Sequence, residues 1–223
     1  MYWLDRTQEE LSSAATWPHL PDVAIAAAPV QDFLDTLLPP ELQAIERAVA
    51  RRRREFATGR HLARQAMRLL ELPAAAVGKS DDRSPVWPEA CLGSITHAGE
   101  LAVAAVARRG ALTGIGVDLE QADRVTAELH GKLLTPFELA RLQQHPALAA
   151  GLIFSAKEAV YKAVHPQVGR FIGFQEVEVE LDWPAGRFRV RYVGEHAPNR
   201  ILEAGEGYFG FAAQYVLTLF IIR

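Results

Sequence analysis

The chain has 223 residues, of which 49% are hydrophobic and 23% charged, a composition that excludes an intrinsically disordered protein. Its formal net charge of −3 argues against a general nucleic-acid binder, although local basic patches remain possible. A single cysteine, Cys91, excludes an intramolecular disulfide and a cysteine-based zinc site. Residues 1–10 lack the apolar stretch of a signal peptide, and no apolar run reaches the roughly 18 residues that span a membrane. We therefore expect a cytoplasmic protein without membrane segments.

The first half of the chain predicts a strand, a long helix and a pair of strands. An apolar run at 23–28 predicts the strand, and Pro39-Pro40 opens a helix whose apolar spacing continues to Leu70. Residues 78–88 carry charges and prolines and predict a loop. A strand-like stretch at 93–97 and an apolar run at 101–107 flank a tight turn, which predicts an antiparallel pair of strands.

The second half predicts a central strand at 114–120, then helices, then strands. Thr135-Pro136 starts a helix through Leu142, and Pro146 opens another through about Val164. Alternating apolar residues then predict three strands, at 177–181, 188–192 and 208–222. We therefore predict an α+β protein with mostly antiparallel sheets, divided into residues 1–111 and 112–223.

The stretch 114–120, Gly-Ile-Gly-Val-Asp-Leu-Glu, carries the first candidate site. Residues two apart on a strand point to the same face, so Asp118 and Glu120 lie side by side. Two adjacent carboxylates repel each other unless a cation lies between them, and oxygen ligands of this kind suit Mg2+. The alternative, a strand end whose two acids face water, remains open from this strand alone.

A second pattern follows some forty residues later, where Glu158 and Lys162 stand four residues apart on one helix face. Alone, they could form a surface ion pair worth a few tenths of a kcal/mol. A strand Asp-x-Glu followed by a helical Lys-Glu-x-x-x-Lys is far more specific than either part. Upstream, the arginine run 51–54 is either a solvated helix face or, on a helix that also carries Arg60, Arg64 and Arg68, a cradle for phosphates.

These stretches resemble the 4'-phosphopantetheinyl transferases, and among them the monomeric siderophore-type branch related to enterobactin synthetase component D. The resemblance spans residues 50–162, with Phe154 where the family has tryptophan. It rests on five motifs in the same order: RRREFATGR at 52–60, PVWP at 85–88, GSITH at 93–97, GIGVDLE at 114–120 and FSAKEAVYK at 154–162.

The resemblance implies a fold of two similar α/β halves related by a pseudo-twofold axis, packed as one compact monomer. The N-terminal half, 1–111, would bind the coenzyme A nucleotide. The C-terminal half, 112–223, would bind the metal and carry the catalytic residues.

The resemblance also assigns individual residues. Asp118, Glu120 and Glu158 match the ligands of Mg2+, with Mn2+ also possible, and Asp118, Glu158 and Lys162 would be catalytic. The positions that grip coenzyme A are matched by Arg52, Arg60, Lys79, Arg83, Thr96, His97 and Lys162, with His97 at the 3'-phosphate.

The implied reaction is attack by a carrier-protein serine on coenzyme A, with release of 3',5'-ADP. Glu158 is the candidate base, directly or through water. The partner would be an apo acyl or peptidyl carrier protein of siderophore, fatty-acid or polyketide synthesis, docked on the segment 121–137 and around Arg141. Two other functions remain open: a non-catalytic module that binds coenzyme A or a carrier protein, and, more remotely, a metal-dependent nuclease.

Overall fold

The computed structural model describes residues 20–195 and 199–223, so the prediction that residues 1–10 lack a signal peptide lies outside the described residues. The helices are α1 (Pro39–Ala44), α2 (Ala50–Leu69), α3 (Ala127–Leu133), α4 (Pro136–Arg141), α5 (Ala149–Val168) and α6 (Asn199–Glu203). The first five strands are β1 (Val23–Pro29), β2 (Gly78–Lys79), β3 (Pro85–Val86), β4 (Cys91–Ala98) and β5 (Leu101–Arg108). The others are β6 (Gly114–Gln121), β7 (Val177–Asp182), β8 (Arg187–Tyr192), β9 (Gly205–Ala212) and β10 (Tyr215–Ile222). None of the helices in this described part of the chain is long and apolar enough to cross a membrane.

The two main sheets and the two long helices form four layers. Helix α2 covers one face of the sheet β1-β5-β4, whose other face packs against the sheet β6-β10-β9-β8-β7, and α5 covers the far side. Successive side chains along each strand point to opposite faces of the sheet, so alternate residues face different layers. In β1, Ala24 faces α2 while Ile25 faces the second sheet. All strand pairs within both sheets are antiparallel, as predicted.

The two halves repeat one plan. In each, a first strand is followed by short helical segments and a 20-residue helix, and the last two strands of the half pair next to the first strand. The second half adds β7 and β8 at the edge of its sheet. The order β1-β5-β4 in the first half matches β6-β10-β9 in the second. This confirms the predicted α+β fold of two similar halves, whereas the division between residues 111 and 112 stays a prediction.

Three element predictions were wrong. The run 208–222 is not one strand, because Ala213 adopts a positive φ of 49° in a turn that separates β9 from β10. The helix predicted from Pro39 to Leu70 is interrupted between α1 and α2, and residues 78–88 contain the short strands β2 and β3. Helix α3 was missed, because its sequence has no apolar stripe and none of its residues is buried.

A row of small residues brings α5 unusually close to β6. This row, Gly151, Ser155, Ala159 and Ala163, repeats every four helical residues, about 6 Å, which nearly matches two strand residues. It lies against the face of β6 that carries Gly114, Gly116 and Asp118. A Cβ added to Gly116 would lie 1.9 Å from the carbonyl oxygen of Ala159. Glycine is therefore required there by space, since no side chain fits between strand and helix.

Replacing Gly116 by Ala is expected to destabilise the fold by about 3 kcal/mol, because the clash is with backbone and cannot be relieved by a rotamer change. Gly131→Ala is the matched control: a Cβ at this exposed helical position meets nothing within 4 Å. It should stabilise by about 0.5 kcal/mol. Urea unfolding of both variants measures the difference, and equal stabilities would contradict the close-approach account.

Candidate active site

Asp118 is the buried centre of the polar face of β6. Its Oδ1 accepts hydrogen bonds from Lys162 Nζ at 2.6 Å and from Thr96 Oγ1 at 3.1 Å, and its Oδ2 accepts one from Ser155 Oγ at 2.9 Å. These donors come from β4 and α5, so both halves hold the carboxylate. Charge-assisted bonds of this kind fix its orientation.

Lys162 contacts Asp118 across the layer rather than forming the surface pair with Glu158 that its spacing alone allowed. Its ammonium also donates to the carbonyl oxygen of Val117 at 3.1 Å, and the side chain is 26% exposed. The lysine therefore reaches from α5 over the strand and keeps one side open to solvent.

Glu120 and Glu158 flank Asp118 in an environment short of positive charge. Burial raises the pKa of both carboxyls, and the charge of Asp118 raises each further. The Oε2 atom of Glu120 is buried without a hydrogen bond, 3.4 Å from Arg124 Nη1. The site thus holds acidic groups whose charge is only partly compensated.

The carboxylate oxygens of Asp118, Glu120 and Glu158 are of the kind that binds a hard divalent cation. One of them, Glu120 Oε2, is buried without a hydrogen-bond partner. They do not form a closed ligand set. Within residues 20–195 and 199–223, no three acidic, histidine or cysteine side chains converge closely enough to hold a metal ion. The assignment of Asp118, Glu120 and Glu158 as metal ligands therefore stays a prediction.

A second polar cluster lies on the first half, where α2 meets β4. Arg52 Nη1 is 2.9 Å from His97 Nε2, and the Glu55 carboxylate lies 3.6 Å from both side chains. Burial lowers the pKa of His97; the carboxylate of Glu55 opposes that shift, while the charges of Arg52 and Lys162 add to it. His97 therefore lies within the field of the lysine that holds Asp118, which places the two clusters at one seam between the halves.

Arg60 binds the backbone of the segment that precedes Lys79. Its guanidinium is buried and donates to the carbonyl oxygens of Val77 and Gly78, both at 2.9 Å. Burial lowers its pKa to about 10. Arg60 thus fixes the backbone that leads into Lys79, and its predicted contact with coenzyme A stays a prediction.

Lys79 and Arg83 flank an exposed turn between β2 and β3. Hydrogen bonds from Ser80 and Ser84 lower the pKa of Asp82 in this turn to about 2. Burial raises the pKa of Tyr161 on α5, and the charge of Asp82 adds to the rise, so the turn faces the second half. Within the described residues, no side-chain hydrogen bond joins Lys79 or Arg83 to the acidic group.

Sequence reasoning missed two residues of the site. Ser155, fully buried, bonds both Asp118 and Thr218 and looked like an ordinary helix residue. Glu55, 8% exposed, forms ion pairs with Arg51 and Arg52. The signal for Glu55 was available, because an acid three or four residues after two arginines on a helix pairs with them.

An apolar cavity of about 190 Å³ opens beside Glu158 on the side of α5 away from β6. Its walls include Tyr161, Phe171, Ile172 and Phe174. Phe171 is 64% exposed and its ring packs 5.3 Å from that of Tyr161, at the edge of the cavity. Glu158 therefore lines a mainly apolar cavity, which suits an uncharged ligand group.

Replacing Glu120 by Gln is expected to raise the thermal unfolding midpoint at pH 7 with a chelator present. Because the carboxyl pKa is raised in the folded protein, folding favours the uncharged acid, and wild-type stability falls as the pH rises from the ordinary carboxyl pKa through the raised one. Glutamine avoids that loss, so the gain should vanish below about pH 4. Glu89→Gln, in an exposed turn, is the control and should leave the unfolding midpoint unchanged both at pH 7 and below pH 4. A midpoint of Glu120→Gln below that of the wild type at pH 7 would contradict the electrostatic account.

Comparison with known proteins identifies the family. The model of the 4'-phosphopantetheinyl transferase N-terminal domain matches residues 40–107, and that of the 4'-phosphopantetheinyl transferase superfamily matches residues 114–220. The 4'-phosphopantetheinyl transferase PptT of Mycobacterium tuberculosis is 35% identical over 161 residues, 71% of each chain. Svp of Streptomyces mobaraensis is 33% identical over 194 residues, 84% of this chain and 79% of that one.

Enterobactin synthase component D of Escherichia coli is 34% identical over 155 residues, 67% of this chain and 71% of that one. Among solved structures, the holo-[acyl-carrier-protein] synthase AcpS of Thermotoga maritima aligns with a TM-score of 0.41 and 16% identity, over 50% of this chain and 64% of that one. As the motifs predicted, the chain belongs to the 4'-phosphopantetheinyl transferases, in the group that includes enterobactin synthase component D.

Proposed function

We propose that this enzyme transfers the 4'-phosphopantetheine group of coenzyme A to a serine of an apo carrier protein and releases 3',5'-ADP. The position of Lys162 carries the proposal. Its ammonium bonds Asp118 of β6, and its charge acts on His97 of β4. A pyrophosphate at Lys162, joined to a nucleotide phosphate at His97, would bridge the two clusters.

Asp118, Glu120 and Glu158 would hold Mg2+ or Mn2+, and the bound ion would polarise the pyrophosphate and stabilise the leaving group. Lys162 offsets charge on the same phosphates because its ammonium is already fixed beside them. Ser155 and Thr96 keep Asp118 oriented through its two oxygens.

The first half supplies the nucleotide contacts. Arg52 and His97 are proposed to bind the 3'-phosphate, with Glu55 holding Arg52 in place. Arg60 acts through the backbone by fixing Gly78 beside Lys79. Lys79 and Arg83 are exposed at the adjoining turn and would add positive charge at the nucleotide.

Glu158 is proposed as the base. Burial and the charge of Asp118 raise the pKa of its carboxyl, which increases the affinity of the carboxylate for the serine proton. The serine oxygen would form a bond to the β-phosphorus while the bond from that phosphorus to the bridging oxygen of 3',5'-ADP breaks. The cavity beside Glu158 would take the uncharged arm of the transferred group.

The carrier protein is proposed to dock on α3 and α4. Arg124, Lys132 and Arg141 are exposed there and would meet an acidic carrier surface, and the guanidinium of Arg141 stacks 3.9 Å from the ring of Phe137. Leu134 lies within the segment 121–137 that the sequence suggested for docking, but it is only 1% exposed and packs into the core, so it is not part of this surface.

Incubation of the enzyme with coenzyme A, Mg2+ and an apo carrier protein should raise the intact mass of the carrier by about 340 Da, one phosphopantetheine group. Glu158→Ala and Lys162→Met should slow the transfer by about 100-fold or more, because they remove the base and a phosphate contact. Glu89→Gln, remote and exposed, is the control. Bound coenzyme A without any mass shift across peptidyl and acyl carriers would instead support a non-catalytic binding module.

A further inference from the structure

Two buried carboxylates occupy equivalent places in the two halves. Glu41 in α1 and Glu138 in α4 are each the third residue of a short helix that begins with proline. Each is almost fully buried and accepts the amide of the residue that caps its own helix, at 2.9 Å and 2.7 Å respectively. Each also accepts an amide from a later segment, Val77 N for Glu41 and Val179 N for Glu138.

Each carboxylate is paired with a cation from the long helix of its half. Arg64 of α2 lies 2.7 Å from Glu41, and Lys157 of α5 lies 2.7 Å from Glu138. We call these the Arg64 clamp and the Lys157 clamp. The two have the same arrangement, but the segments that they join differ.

Lys157 donates all three of its N–H hydrogens to acceptors inside the protein. They go to Glu138 Oε2 at 2.7 Å, to the carbonyl oxygen of Leu133 at 2.9 Å and to that of Phe174 at 2.7 Å. These acceptors belong to α4, to the end of α3 and to the turn that precedes β7. A single ammonium therefore fastens three segments to α5.

The segments that Lys157 joins belong to the proposed reaction. Phe174 walls the cavity beside Glu158, and its ring lies 5.4 Å from that of Phe154. Gln175 Nε2 adds a bond of 2.8 Å to the carbonyl oxygen of Leu134. Helices α3 and α4 are the proposed carrier surface, so the clamp links that surface to the cavity wall.

We propose that Lys157 is a positioning residue, which holds the Phe174 wall and Glu158 in register with the carrier-binding helices. The proposal rests on the proposed function, because it assigns the cavity to the transferred arm and Glu158 to the proton. Lys157 lines the same cavity, but its three N–H donors are all used inside the protein, so none is left for a phosphate. The Arg64 clamp instead fixes Val77 and the carbonyl oxygen of Thr36, away from Glu158.

The test compares two neutralised clamps, so that neither leaves a buried charge without a partner. One variant combines Glu138→Gln with Lys157→Met, and the matched control combines Glu41→Gln with Arg64→Met. The first should lose about 100-fold in kcat, the size of a misplacement of roughly 1 Å, with its affinity for 3',5'-ADP changed by less than about twofold. The control should keep kcat at saturating coenzyme A within about threefold. The single variant Lys157→Arg restores the kind of cation found in the Arg64 clamp and keeps Glu138. Its kcat should be close to that of the wild type, unlike that of the neutralised Lys157 clamp.

Equal losses of kcat in both neutralised clamps, no loss in either, or no recovery by Lys157→Arg would overturn the proposal. Hydrogen exchange of the amides at 171–176 gives a readout that does not depend on transfer. Exchange there should accelerate only in the Glu138→Gln, Lys157→Met protein. If the wild type transferred no group, the proposed function would fail, and unchanged exchange would separately refute the clamp.

Discussion

The close approach of α5 to β6 is the contact on which the site depends. Gly116 permits the backbone of Ala159 to lie where a side chain would otherwise be, and the same spacing places Ser155 against Asp118. Glu158 and Lys162 follow at positions adjacent to this row of small residues. A larger residue at Gly116 would move both away from the strand. Gly114 and Gly116 therefore affect the site by allowing α5 to lie close to β6, and not by contacting a ligand.

This packing concentrates negative charge at a cost to stability. Glu120 and Glu158 have raised pKa values because they are buried near Asp118, and Lys162 compensates only part of that charge. A folded protein tolerates such a group where function requires it. The proposed function uses this environment, with Glu158 as the proton acceptor and the acidic face as the place of a cation. The first half complements it, since Arg52 and His97 offer positive or hydrogen-bonding groups across the seam from Lys162.

The strand face and the helix motif could be predicted because their periods are local: Ile115, Val117 and Leu119 face the core while Asp118 and Glu120 face α5. The bonds from Arg60 to the carbonyl oxygens of Val77 and Gly78 could not be predicted, because sequence does not show which backbone groups a buried guanidinium will meet. The turn at Ala213 was hidden because a non-glycine residue adopts the positive φ. The repeat was predicted only through the resemblance, although Pro-Glu-Leu at 40–42 and Pro-Phe-Glu-Leu at 136–139 both mark the buried carboxylate of a clamp.

The central claim is that one ligand binds across both halves at the seam marked by His97 and Lys162. Calorimetric titration of coenzyme A with Mg2+ into the wild type, His97→Ala and Lys162→Met tests it most directly. The account predicts that each substitution weakens binding by about tenfold or more, the value of a lost charge-assisted hydrogen bond. Full affinity in either folded variant would contradict it, because the ligand would then be held by one half alone.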